Sequence, residues 1–448
     1  MAQTPARSAA RLIVRPFQEF LALETAGAML LLAAAATALV WANLPGDSYS
    51  DFWHRHIDID LGFVELNLTR EEWVSDGLMA VFFYVVGLEI KRELLRGELA
   101  DRRRAALPAA AALGGMVAPA LIYLSLNIGT EGEEGWGIPM ATDIAFSVGL
   151  LTLLGPRVPL SFKVFMLALA IVDDLGAIAV IAIFYTDNVD LQWLALAVAM
   201  FALTAVFGRF GVRAAVAYIA VALVAWLAVY ESGVHATIAG VILGLLTPIE
   251  PRYDAAVLRD SANDLVEQFA LAKEDPSAEG REVADASLRE LEELARESRA
   301  PLDRLEHGLH PWTTFLIIPL FALANAGVEL GGSAIEDSAT SRVALGVALG
   351  LIIGKPLGIA IACYAAVRAG LAALPPDTRW SHVLALGMVA GIGFTVSLFI
   401  ATLAFEEQPA LLAEAKMAVL AGSAIIGVAG LITLRSLLPE GGGAKDGG

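Results

Sequence analysis

Residues 161–185 read SFKVFMLALAIVDDLGAIAVIAIFY. The run is long enough to cross a bilayer, whose core of ~30 Å needs about 20 mostly apolar residues as a helix. It carries charge only at Lys163, near its start, and at Asp173-Asp174, near its middle. A carboxylate at that depth costs at least ~2.5 kcal/mol on insertion scales, and two in succession cost more. Packing does not call for such residues. They mark an ion path, a proton relay or an intramembrane catalytic site.

Working outward, the whole chain has the same character. Of 448 residues, 57% are hydrophobic and 17% charged, which sets it apart from soluble domains. Apolar runs of roughly 18–25 residues recur along it, so the class is a polytopic, all-α membrane protein. The first run begins near Leu21 and is too long, and too richly followed by others, to be a cleaved signal. The single cysteine, Cys363, rules out an intrachain disulfide and a cysteine metal cluster, and reads as a small core residue. The net charge is −18, and 251–303 holds fourteen acids against seven bases. No basic face is large enough to hold phosphates, so nucleic acid is not expected as a partner.

Twelve spans are expected, near 20–42, 72–90, 105–127, 134–154, 161–186, 191–208, 212–230, 233–249, 311–328, 343–367, 380–404 and 410–436. Basic residues fall on alternate connections. Arg7, Arg11 and Arg15 precede the first span; Lys91, Arg92, Arg96 and Arg102 to Arg104 crowd the second connection; Arg157, Arg209, Arg213, Arg368, Arg379 and Arg435 follow on the same side. The positive-inside rule places both termini in the cytoplasm. The chain then divides into a cytoplasmic segment 1–19, spans over 20–250, an acidic cytoplasmic insertion 251–304, spans over 305–436 and a tail 437–448.

Two segments between spans have patterns of their own. Ile57 to Leu61 and Val64 to Leu68 alternate apolar and polar around Gly62, which predicts a β-hairpin at about 56–68. A lone hairpin is marginal in water, so pairing with its copy on a second subunit, or lying on the membrane, would steady it. From Asp254 to Arg299 the chain is polar. Leu288, Leu291 and Leu294 predict one amphipathic helix, Asp275-Pro276-Ser277 predicts a break, and a flexible linker is the alternative.

Consecutive helical residues diverge by ~100°, so Asp173 and Asp174 cannot easily bond to each other, but both can line one watery cavity. Lys355 is read as the mid-span cation available to them, with Pro356 loosening the helix beside it. A buried Lys recovers its charge beside a carboxylate, so a Lys–Asp pair is switchable by whatever competes for the Asp. The fourth span is broken around Pro139, Thr142 and Asp143, and the eleventh around Gly387, Gly391 and Gly393. Irregular backbone at membrane depth survives where it faces a cavity or packed protein. Breaks at corresponding places in 105–186 and 343–436 are the mark of inverted-repeat transporters. Gly346, Gly350, Gly354 and Gly358, and likewise Gly240 and Gly244, predict close helix packing. Asp76 reads equally as a helix cap or a functional group, and His235 as a buried, hydrogen-bonded side chain. At the cytoplasmic rim, Glu89, Arg92 and Glu93 share a helix face, and Glu306, His307 and His310 precede the ninth span. Each cluster alone reads as a solvated rim; together they predict a mouth whose charge varies with pH.

The stretches SDGLMAVFFYVVGLEIKREL (75–94), ATDIAF (141–146), LALAIVDDLGAI (167–178), SGVHATIAG (232–240), LEHGLHPW (305–312), FALANAGV (321–328), IGKPLGI (353–359) and GIGFTVSLFIA (391–401) resemble the NhaA-type sodium/proton antiporters. The likeness runs in order from about 18 to 436, except across 252–300, where the chain is roughly fifty residues longer than the compact family pattern. The resemblance implies two interrupted helices that cross, a family property within its inverted-topology repeats. It implies ion binding at Asp173 and Asp174, with Thr142, Asp143 and Lys355 in proton coupling and in offsetting the facing helix-end charges. It implies pH regulation through Glu89, Arg92, Glu93, Glu306, His307 and His310, and a homodimer formed through the hairpin.

The mechanism expected is exchange. Burial penalises a charged carboxylate, so near neutral pH it holds either a proton or a metal cation. Na⁺ (or Li⁺) and H⁺ competing for Asp174 and Asp173 are then exchanged by alternating access, with no cofactor beyond the transported ions; Asp174 is expected as the principal Na⁺ ligand, and Asp173 shares the cation and otherwise pairs with Lys355. Three readings compete. An intramembrane aspartyl protease needs carboxylates that share a proton, for which Asp143 with Asp173 is the candidate pair. A cation channel needs no proton coupling, and a sodium-coupled symporter needs an organic-substrate site that the sequence does not display.

Overall fold

The structure, a computed structural model, describes residues 25–60, 62, 65–186, 189–212, 215–251, 255–275, 277–331, 340–375 and 378–438. The expected segment 1–19, Arg7 to Arg15, Arg213, Leu61, Val64 and all but the first two residues of the tail 437–448 lie outside them.

Helix α1 (Thr25–Ala42) leads to a short α2 (Ser48–Trp53) and two strands, β1 (His56–Asp60) and β2 (Glu65–Thr69). Helices α3 (Arg70–Arg96) and α4 (Arg102–Asn127) follow, then a 3₁₀ stretch Glu133–Met140, α5 (Ile144–Leu153) and α6 (Leu160–Phe184). Next come α7 (Leu191–Phe210), α8 (Ala215–Glu231), α9 (Thr237–Leu246), α10 (Ala255–Glu274) and α11 (Ala278–Glu297). The chain closes with α12 (Pro301–Trp312), α13 (Ile318–Asn325), α14 (Arg342–Arg368), α15 (Trp380–Ala390), α16 (Phe394–Ala404) and α17 (Pro409–Leu437).

Among the described residues, eight helical stretches are long and apolar enough to cross a membrane, and α15–α16, bent by 51° at its break, makes a ninth. The fold is thus an all-α membrane protein with one small sheet. Helix α9, at 10 residues, spans only ~15 Å, half a hydrocarbon core.

The hairpin is antiparallel, with His56 opposite Thr69 and Asp60 opposite Glu65. Gly62 turns it with φ +79°, a left-handed conformation that side-chain-bearing residues resist. Strand β2 runs straight into α3 through a capping box, in which Thr69 Oγ1 accepts from Glu72 N and Glu72 returns the bond to Thr69 N.

Three π segments interrupt the helices: Trp73–Leu78, Thr313–Ile317 and Gly350–Gly354. The last two stand just before Pro319 and Pro356. A proline cannot donate to the carbonyl four residues back, and the widened turn takes up its ring.

The glycine stripes do pack. A Cβ on Gly358 would meet Gly114 O at 2.1 Å, and one on Gly354 would meet Pro119 Cα at 2.8 Å, so α14 crosses α4 backbone to backbone. In the same way a Cβ on Gly240 would lie 2.0 Å from Ala80 O, sealing α9 to α3.

The insertion is more helical than its leucine pattern foretells. Helices α10 and α11 form a hairpin with the break where Asp275 to Ser277 predict it. Ser277 caps α11, accepting from Gly280 N, and its own amide donates to Asp275 Oδ1. The seam uses Leu265, Ala284 and Leu294, whereas Leu288 is exposed.

Candidate ion-binding site

Asp173 and Asp174 lie in the middle of α6, 1% and 3% exposed. Lys355 approaches from α14 and is fully buried. The α4–α14 seal places it there, because Lys355 is one residue beyond Gly354, which rests on Pro119. Its Nζ donates to Asp173 Oδ2 at 2.8 Å and also to the Met140 carbonyl at the end of the 3₁₀ stretch. Asp174, turned ~100° away on the helix, is outside that ion pair. Asp173 Oδ1 and Asp174 Oδ1 are buried with no hydrogen-bond partner among the described residues.

The two helix breaks meet beside this pair. Asp143 N donates to Ile392 O at 2.7 Å, Thr142 Oγ1 to Ala390 O at 2.9 Å and Ser147 Oγ to Val389 O at 3.0 Å. These bonds satisfy the carbonyls freed where α15 stops. In return, Ser397 Oγ donates to Ile138 O at 2.7 Å. Asp143 serves two helix starts together: Oδ1 accepts from Phe146 N at 2.9 Å, capping α5, and Oδ2 accepts from Thr395 N at 3.1 Å and Thr395 Oγ1 at 2.7 Å, at the start of α16. A carboxylate between two helix N-termini opposes both partial positive charges, and the Lys355 ammonium on the Met140 carbonyl does the converse at the end of a helical turn.

The geometry weighs against proton sharing between Asp143 and Asp173. Donors from the α5 and α16 starts hold the first, and Lys355 holds the second. Among the described residues, no three carboxylate, histidine or cysteine groups converge as a metal-chelating cluster. Oxygens of the Asp173–Asp174 pair are hard donors, of the kind that suit a hard cation carried as substrate.

The family model described as Na+/H+ antiporter 1 matches residues 18–434. The chain belongs to that family. Its likeness to NhaA-type antiporters, read above from the motifs, extends over nearly the whole length of named relatives. The Na(+)/H(+) antiporter NhaA 2 of Myxococcus xanthus (strain DK1622) is 48% identical over 440 residues, covering 98% of this chain and 92% of that protein. The Na(+)/H(+) antiporter NhaA 2 of Sorangium cellulosum (strain So ce56) is 46% identical over 437 residues, covering 97% and 92%. The Na(+)/H(+) antiporter NhaA of Salmonella paratyphi B (strain ATCC BAA-1250 / SPB7) is 43% identical over 429 residues, covering 95% and 99%.

In this member of the antiporter family the rim residues come together only in part. Arg92 bonds to Glu306 and stands 3.6 Å from Glu93. Glu89 is a charge neighbour of both Arg92 and Asp174. Glu306 is 4% exposed, and burial pushes its carboxyl up, against the opposing pull of Arg92, His307 and His310. His307 is exposed, its Nδ1 2.7 Å from Asp303 O, and His310 is half-buried. Asp76 does not cap α3, since Thr69 does; it sits in the first π segment, where its carbonyl accepts from Trp226 Nε1.

Two features escape a reading along the sequence. The Met140 carbonyl, second partner of Lys355, carries no side-chain signal. The other is Lys416, in α17, which is 8% exposed and 3.4 Å from Glu71. Lys355 is therefore not the only buried lysine. Lys416 falls near the start of its apolar run, where a basic residue reads as interfacial.

Proposed function

We propose that the chain exchanges Na⁺, and with it Li⁺, for H⁺ across the bacterial cytoplasmic membrane, through competition at Asp173 and Asp174. The observation that carries this reading is the buried oxygen of Asp174, without a hydrogen-bond partner among the described residues, beside an Asp173 already held by Lys355. A buried carboxylate oxygen without a partner calls for a proton or a cation. Na⁺ entering at Asp174 draws Asp173 from Lys355, which then gives up its proton; reprotonation restores the pair and expels the cation. Unequal counts of protons and sodium ions make the cycle electrogenic, at ~2.3 kcal/mol per net charge per 100 mV.

The same reading takes the helical stretches as twelve spans in two inverted repeats, with α4 to α6 corresponding to α14 to α17 and one broken helix in each. The contacts between 142–147 and 389–395 support that correspondence. It puts both termini, the α10–α11 hairpin and the Arg92–Glu306 rim in the cytoplasm, with the rim as the pH-responsive entrance. It pairs β1, whose Ile57 and Ile59 are exposed, with a second subunit. Dequenching of a pH dye in proteoliposomes on adding Na⁺ or Li⁺ tests the function. Asp174→Asn is expected to abolish the signal, and a variant that still exchanges refutes the assignment.

A further inference from the structure

Lys416 takes no part in the exchange step above, yet it is buried and charged. Its Nζ is 3.4 Å from Glu71 Oε1, and Glu71 Oε2 is 3.5 Å from His54 Nε2. Glu71 lies in the first turn of α3, which the Gly240 contact seals to α9. Lys416 lies in α17, on the other side of the molecule's glycine contacts. There Gly358 seals α14 to α4, a Cβ on Gly176 would meet Met116 Sδ at 2.2 Å, joining α6 to α4, and one on Gly391 would meet Leu351 O at 2.7 Å. Helix α17 closes on this group through Gly430, whose Cβ would meet Val389 at 3.1 Å. Gly358 and Gly391 meet backbone, whereas Gly176 and Gly430 meet the side chains of Met116 and Val389 first. The Lys416–Glu71 pair ties α17 to the first turn of α3.

Glu72, the chain neighbour of Glu71, belongs to an acidic group. Asp76, Glu72, Glu231 and Glu406 are all charge neighbours of Tyr230, and Glu72 and Glu406 are charge neighbours of Asp76. In the proposed topology this end of the bundle faces outward. Carboxylates alone would concentrate Na⁺ there and hold it, opposing release.

We infer that Lys416 is a positioning residue of the outer mouth, whose ammonium, partly neutralised by Glu71, weakens Na⁺ binding on the extracellular side and so favours release. The inference rests on the antiport reading. It differs from a simple tie between helices in one respect. Loosening a tie gives Lys416→Gln and Glu71→Gln the same effect, whereas a charge effect gives them opposite signs.

The test is Na⁺/H⁺ exchange in oriented proteoliposomes, with Na⁺ supplied to one face at a time. Wild type is measured first; absence of exchange there refutes the antiport reading itself. With Na⁺ outside, Lys416→Gln is expected to lower the apparent KM about five- to tenfold, the order expected of one nearby unit charge in a partly aqueous mouth. Glu71→Gln is expected to raise it by a similar factor, the double variant to return to within about twofold of wild type, and Lys416→Arg to keep the wild-type value. With Na⁺ inside, all are expected to stay within about twofold of wild type. Equal signs for the two single variants, no shift in Lys416→Gln, or the same shift at both faces overturns the inference. If Lys416→Gln fails to fold, Glu71→Gln decides by its sign.

Discussion

Replacing Gly358 with alanine tests whether the ion pair depends on the helix crossing behind it. The added Cβ would stand 2.1 Å from Gly114 O, 2.6 Å from Ala118 Cβ and 2.9 Å from Gly114 C. Two of these neighbours are backbone and cannot swing aside. Relief requires α14 to retreat from α4 by about 1 Å, a repacking that costs ~1–3 kcal/mol. Lys355 is one turn away on the same helix. A retreat of that size would stretch its 2.8 Å bond to Asp173 beyond hydrogen-bonding range. Loss of a buried pair adds ~3–5 kcal/mol, so the total expected is about 4–8 kcal/mol. Thermal unfolding in detergent, followed by tryptophan fluorescence, reads the stability, and pH-dye dequenching reads exchange. Gly308→Ala is the control: a Cβ there meets nothing within 4 Å, and the better helix former is expected to add up to ~1 kcal/mol. Gly358→Ala with wild-type stability and an unchanged KM for Na⁺ would refute the argument that the glycine contact positions Lys355.

Two further expectations follow from the buried charges. Lys355→Met leaves the Asp173 carboxylate buried and uncompensated, with an expected loss of ~3–5 kcal/mol; adding Asp173→Asn is expected to recover most of it, and thermal unfolding that shows no recovery contradicts the pairing. Burial raises the Glu306 carboxyl above its ordinary range, so its contribution to stability is full below that range and lost as pH rises through its higher folded value. Glu306→Gln should flatten that limb of the stability curve above about pH 4, and an unchanged curve counts against it.

The parts legible along the chain were those that chemistry at membrane depth makes conspicuous. Two adjacent aspartates in an apolar run announce a site because their burial is costly, and a lysine beside a proline announces a partner for the same reason. Glycines every fourth residue foretell a seam, since only they admit a neighbouring backbone. The hairpin and the break at Asp275 to Ser277 followed from local turn chemistry. Leu288 misled because a leucine near helical spacing does not reveal which seam it joins.

Sequence by itself determined the class of protein, the charged residues set at membrane depth and the two places where helices stop, because each is a local conflict between polarity and bilayer. Tertiary structure alone decided that Lys355, paired with Asp173, also holds the Met140 carbonyl. It alone placed one Asp143 carboxylate at the starts of two helices, and joined Lys416 to Glu71. Those choices depend on which helices cross and at what distance. They are settled by backbone contacts between residues hundreds of positions apart, where composition and spacing carry no record of direction.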